Sequence, residues 1–180
     1  MRHARVRDAR KDELPALAAM RHRLAELLKA KDPNLWEMSQ DEMNRLEQTY
    51  AEVMDGGKGR ILVAADAHDR PVGMIMLRLL DSPRVEPGKM GRIDDAWVEP
   101  EWRRRGLMRE LVRAAAAHAQ ERGYKRMILD WSAKNVASAR CWRGLGFAPM
   151  IVVGTAPARD LAEKKERSSV IRSESDGRSK

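Results

Sequence analysis

A strand-like run from Ile93 to Val98 leads into Arg103-Arg104-Arg105-Gly106-Leu107-Met108, and this basic turn, pivoting on a glycine, opens a helix. A strand, a glycine turn and a helix in that order restrict the fold sharply, because the helix must pack back on the sheet that the strand belongs to. Glycine has no Cβ and lets the main chain approach an anion, and the first N–H groups of the helix lack intrahelical partners and point outward. Three arginines add charge and forked donors. The turn reads as a pyrophosphate cradle, against the plainer alternative of a charged surface turn that only meets water.

A second segment, Asn135-Val136-Ala137-Ser138-Ala139-Arg140-Cys141-Trp142-Arg143-Gly144-Leu145-Gly146-Phe147, follows at a distance that holds one helix and one strand. On these two segments the chain resembles the GNAT superfamily of acetyl-coenzyme A-dependent N-acetyltransferases. Its first motif reads Arg/Gln-x-x-Gly-x-Gly/Ala and its second reads Asn, a small residue, an aromatic, then Gly-Phe. Arg103 and Gly106 match the first, with Met108 where Gly or Ala is commoner. Asn135, Trp142, Gly146 and Phe147 fill the second. The resemblance covers roughly Arg5 to Val153.

Periodicity supplies the rest of the layout. Arg5 to Ala9 reads as a strand, and Leu14, Leu17, Arg21, Leu24 and Leu28 recur at helical spacing. Pro33 interrupts, and Ser39-Gln40-Asp41-Glu42 is a capping-box sequence that starts a second helix through Met43, Leu46 and Val53, ended by Gly56-Gly57. Ile61 to Ala65 and Val72 to Leu80 form an antiparallel pair, and Met90 to Val98 is the central strand. Leu107, Leu111, Val112, Ala115 and Ala119 give one helix face that stops at Gly123. Met127 to Trp131 is a strand, Val136 to Arg143 a short helix and Phe147 to Val153 a last strand. This order predicts an α+β, αβα-layered domain with a mixed, mostly antiparallel central sheet. The resemblance implies the GNAT-like fold with a splayed strand pair. The domain is expected over residues 1–154, and 155–180 reads as a basic, polar tail without apolar period.

At 180 residues one domain with a real core is expected. The formal net charge of +8 suits a partner bearing phosphates, but the basic residues are spread among acids without a nucleic-acid-binding motif, so no nucleic acid is expected. No apolar run is long enough to cross a bilayer, so no membrane is expected. A lone Cys141 and an N-terminus without an apolar signal core point to the cytoplasm. His3, His22, His68 and His118 have no metal-ligand spacing, and no metal is expected. Cys141 is expected to pack in its helix rather than act as a nucleophile.

The resemblance also implies a chemistry: transfer of acetyl from acetyl-CoA to a primary amine by direct attack in a ternary complex, or, as the alternative, an acyl-CoA-binding module with weak or no catalysis. The cofactor would lie where Asp94 to Val98 and Met127 to Trp131 part, with its pyrophosphate on amides from Arg103, Arg104, Arg105, Gly106, Leu107 and Met108. Trp97 and Val98 would bind the cofactor, with a central-strand amide, at Val98 near the thioester, meeting the oxyanion. Asn135 would contact the cofactor or cap its helix. Trp142 stands where many relatives carry a tyrosine acid, and serves as a wall or as core. Asp94, with Asp95 as second candidate, would accept the amine proton, by similarity to polyamine-type acetyltransferases, and strand alternation would send the two to opposite faces. Glu99 and Asp130 are weaker candidates. The acceptor would be shaped by residues 30–40, including Trp36, and 81–91, with Asp130 beside it. A cationic amine, such as a polyamine, an aminoglycoside, a lysine side chain or a peptide N-terminus, suits these carboxylates. A homodimer is compatible with the sequence.

Overall fold

The computed structural model describes residues 4–32, 38–82 and 88–162. Strand β1 (Arg5–Asp8) is followed by α1 (Leu14–Lys31), α2 (Gln40–Asn44) and α3 (Leu46–Asp55). Then come β2 (Gly59–Ala65), β3 (Pro71–Asp81), β4 (Lys89–Val98), α4 (Leu107–Glu121), β5 (Arg126–Leu129) and α5 (Val136–Gly144). The five strands lie side by side in chain order. All neighbours run antiparallel except β4 and β5, which are parallel and joined through α4.

Each face of the sheet buries its own apolar cluster. On one, α4 lays Leu111 and Ala115, both fully buried, against Leu62, Ile75, Leu77 and Ile93. Small residues let α4 come close: a Cβ at Gly91 would stand 3.2 Å from the Ala119 Cβ and 2.6 Å from the Met127 Sδ. On the other face α1 and α3 bring Leu17, Met20 and Tyr50 onto Ile61, Val63, Met74, Met76 and Trp97. Burying one such leucine contributes about 2 kcal/mol.

Two expected elements differ. The second helix begins where the cap predicts, the Ser39 Oγ accepting the Glu42 N–H at 3.2 Å, but it breaks at Arg45, whose φ of −101° and ψ of 6° separate α2 from α3. The strand expected from Phe147 to Val153 does not form. Gly146 turns at φ +97° and the Phe147 N–H returns to the Trp142 carbonyl at 3.0 Å, closing α5. Met150 to Val153 are then 69 to 91 % exposed. Their β-branched composition favours a strand only where a neighbouring edge receives it, and among the described residues none does. The chain divides here into two units, Met1–Phe147 and Ala148–Lys180. In the second, residues 158–162 make a short helical turn. Among the described residues no helix is long and apolar enough to cross a membrane.

Candidate active site

β4 pairs with β5 only from Met90 to Ile93, opposite Arg126 to Leu129. β5 ends at Leu129, so Asp130 and Trp131 lie beyond the strand. From Asp94 to Val98 the edge of β4 facing β5 therefore has no strand partner among the described residues, and its N–H and C=O groups are left to bind something else. On its other edge β4 still pairs with β3, with one irregularity: Met76 opposes Asp95 and Leu77 opposes Ile93, so Asp94 is an extra residue in a bulge.

The bulge overturns the expected alternation of the two aspartates. Gly91 and Ile93 face α4, which puts Arg92 on the α1 and α3 face, where Arg78 also projects from β3. Asp94 meets both: its Oδ1 accepts from Arg92 Nε at 2.7 Å and its Oδ2 accepts from Arg78 Nε. Asp95 turns to the same face. Its Oδ2 accepts from the Tyr50 hydroxyl at 2.9 Å, and its Oδ1 lies 2.8 Å from Arg21 Nε in an ion pair. Burial pushes the Asp95 carboxyl up, against the opposing pull of Arg21 and Tyr50. Burial and the neighbouring Asp95 charge push the Tyr50 phenol well above its ordinary range, so it stays a donor.

At the far end of β4 the chain turns through Pro100–Trp102 into the glycine turn. Arg104 has φ +58° and Gly106 φ +85°, and α4 starts at Leu107 with no side chain capping it. Nothing lies within 4 Å of a Cβ built at Gly106. The glycine is thus required by its left-handed backbone, and the space before the helix is open for a ligand. Leu107 is buried and Met108 packs against the α4 cluster, so only their amides look outward. The arginines divide their roles. Arg103 Nε donates to the Val98 carbonyl at 2.8 Å, its guanidinium 4.6 Å from the Trp97 ring, and Arg105 lies over Trp102 at 5.5 Å. Arg104 is exposed.

Asn135 is the N-cap of α5, its Oδ1 accepting the Ser138 N–H at 3.1 Å. Trp142 is buried in the α4 cluster, edge to face with Phe147 at 5.8 Å. Cys141 is exposed rather than packed in its helix, and partial desolvation by the surrounding chain pushes its thiol up. Asp130 is exposed and pairs with Arg92. Glu99 pairs with Arg23 of α1 at 2.5 Å. Trp36 lies outside the described residues. Among the described residues no three His, Cys, Asp or Glu gather as a metal site.

Sequence reasoning missed Arg21, Tyr50, Arg78 and Arg92. A signal existed for three of them. Arg21 stands on the apolar stripe of α1, and Arg78 and Arg92 interrupt apolar strand runs; a charge in such a place is retained only with a partner. Tyr50 carried no signal beyond its helix.

A family model described as the acetyltransferase (GNAT) family matches residues 21–147. Human N-acetyltransferase 8 is 26% identical over 90 residues, half of this chain but only 39% of that protein's length. An aminoglycoside N(6')-acetyltransferase type 1 from Stenotrophomonas maltophilia is 25% identical over 115 residues, 63% of this chain and 72% of that one. Among solved structures, the aminoglycoside N-acetyltransferase AAC(6')-Iy in complex with CoA superimposes with a TM-score of 0.68 at 17% identity, over 88% of this chain and 97% of that one. A predicted acetyltransferase from Clostridium acetobutylicum, solved with acetyl-CoA, gives 0.69 at 16% identity, over 87% and 97%. The last two likenesses are of fold.

Proposed function

We propose that this chain, which belongs to the acetyltransferase (GNAT) family, moves an acetyl group from acetyl-CoA to a primary amine by direct attack in a ternary complex. The observation that carries the reading is a coincidence at one end of β4: the strand edge loses its partner from Asp94 onward, and the uncapped start of a 15-residue helix follows within the same turn. The free edge suits an extended amide-bearing arm, and the amides of 106–108 suit a diphosphate.

Acetyl transfer forms a C–N bond, breaks the C–S bond and releases one proton from the amine. Asp94 receives that proton, through a water, because it sits at the bulge and keeps two of its four lone-pair sites after Arg78 and Arg92 are bonded. Asp95, wholly enclosed by Tyr50 and Arg21, holds the bulge in place. An amide on the free edge of β4, near Val98, meets the oxyanion. Trp142 supplies no acid: it is core, and an indole N–H does not titrate at neutral pH. A thiol titrates near ~8.5, so the thiolate leaves unaided. A single cysteine suits a cytoplasmic setting.

Thiol release measured while both substrates are varied tests the reading. Intersecting double-reciprocal lines are expected, with kcat/KM reduced about 100-fold in Asp94→Asn. Parallel lines would mean an acyl-enzyme and would refute direct attack. Tight acetyl-CoA binding without turnover on any amine would leave the binding module instead.

A further inference from the structure

The acceptor face of β4 is not the acidic surface that its two aspartates suggest. Both oxygens of Asp94 and the Oδ2 of Asp95 already accept hydrogen bonds, from Arg92, Arg78 and Tyr50, and the Oδ1 of Asp95 is ion-paired with Arg21. Asp130 is held by Arg92. Three aspartates face three arginines, which leaves no surplus negative charge to draw in a polycation. The hydrogen-bond inventory leans the other way. Arg78 uses only its Nε, on Asp94, and both its Nη atoms are without a partner among the described residues, on a side chain that is 50% exposed. On the same face three deeply buried donors, Arg21 Nε and Nη1 and Trp97 Nε1, have no hydrogen-bond acceptor among the described residues, although Arg21 Nε lies 2.8 Å from Asp95 Oδ1 as an ion pair. A buried donor without an acceptor is costly, and a surface with spare donors is complemented by a ligand that brings oxygens.

We infer that the acceptor is a small amine that also carries a carboxylate, an amino-acid-like zwitterion, with Arg78 as the residue that selects it. The guanidinium fork of Arg78, steadied at Nε by Asp94, takes the carboxylate in a two-pronged pair through its free Nη atoms. The ammonium of the same ligand then falls one water away from Asp94, whose remaining lone pairs take its proton through that water. One ion pair thus presents both halves of the binding site: Arg78 for the acid, Asp94 for the amine. An aminoglycoside or polyamine brings no carboxylate to Arg78 and meets its charge with cations of its own. The inference rests on the acetyltransferase reading and refines its substrate.

Substrate pairs that differ only in the carboxylate test it: lysine with cadaverine, and ornithine with putrescine, alongside kanamycin, each followed by thiol release from acetyl-CoA. Wild-type protein is expected to use the carboxylate-bearing member with at least about tenfold higher kcat/KM, carried by KM. Arg78→Gln should lower kcat/KM for the carboxylate-bearing member at least about tenfold more than for its decarboxylated twin, erasing the preference whatever the shared loss through Asp94, and Arg78→Lys should restore part of the difference. A general disturbance of Asp94 would instead lower both members equally, which would overturn the assignment. Wild-type preference for cadaverine, putrescine or kanamycin would overturn the inference without any variant, while leaving the acetyltransferase reading intact. If no amine of the panel releases thiol, both readings fail.

Discussion

The two faces of the sheet are built from the same strands and follow opposite rules. Against α4 the core is apolar throughout, Leu62, Ile75, Leu77 and Ile93 meeting Leu111, Val112, Ala115 and Ala119. Against α1 and α3 an equally buried layer admits Tyr50, Asp95 and the stem of Arg21, and at its edge Asp94 between two arginines. β4 feeds both, and the bulge at Asp94 is what sorts them: without it Asp95 would follow Ile93 into the α4 core, where no donor awaits it. One face stores stability. The other holds charge in position, at some cost in burial, beside the strand edge where a thioester can lie.

That contrast is open to direct attack. The largest expected change is on the apolar face: Leu111→Ala should lower unfolding free energy by about 3 kcal/mol in urea titrations, through lost burial and the cavity left behind. Acetyl transfer per folded molecule should be unchanged. A loss of kcat in the folded fraction would break the separation of the faces. On the polar face Tyr50→Phe removes one hydroxyl and leaves an Asp95 oxygen without its donor, which should cost about 1–2 kcal/mol. Here kcat should fall as well, because the bulge loses a fixing point. An unaltered kcat would mean that Asp95 and its partners stabilise the fold without serving the site.

How far the sequence reveals these features depends on the distance over which each is determined. The turn at Gly106 is set by its own backbone angle, so one residue in one place announces it. The helices α1 and α4 announce themselves through periodicity, since each buries a single stripe, and the strands β2 and β3 as near-continuous apolar runs, since helices cover both faces of the sheet. The bulge is invisible to that reasoning: two adjacent aspartates on a strand are assigned opposite faces by default, and only the pairing of Met76 with Asp95 and Leu77 with Ile93 shows otherwise. The run from Met150 to Val153 fails for the complementary reason. Its residues favour a strand, but a strand needs a neighbour, which no local pattern supplies. Apart from Arg92, two positions before Asp94, the partners of Asp94 and Asp95 come from distant parts of the chain, Arg78, Tyr50 and Arg21; a misplaced arginine on an apolar stripe is the trace they leave.

The central claim is that main-chain amides at the start of α4 grip the diphosphate of the acyl donor, with Gly106 setting their direction. Calorimetric titration with acetyl-CoA of the wild type, Gly106→Val and Arg104→Ala tests it most directly. Forcing a β-branched residue to φ +85° costs on the order of 1–3 kcal/mol or turns the amides away, so Gly106→Val should bind at least about tenfold more weakly. Arg104→Ala should lose less, since an exposed side chain is screened by solvent. No heat from folded wild type, or a Gly106→Val that binds as the wild type does, would contradict the account.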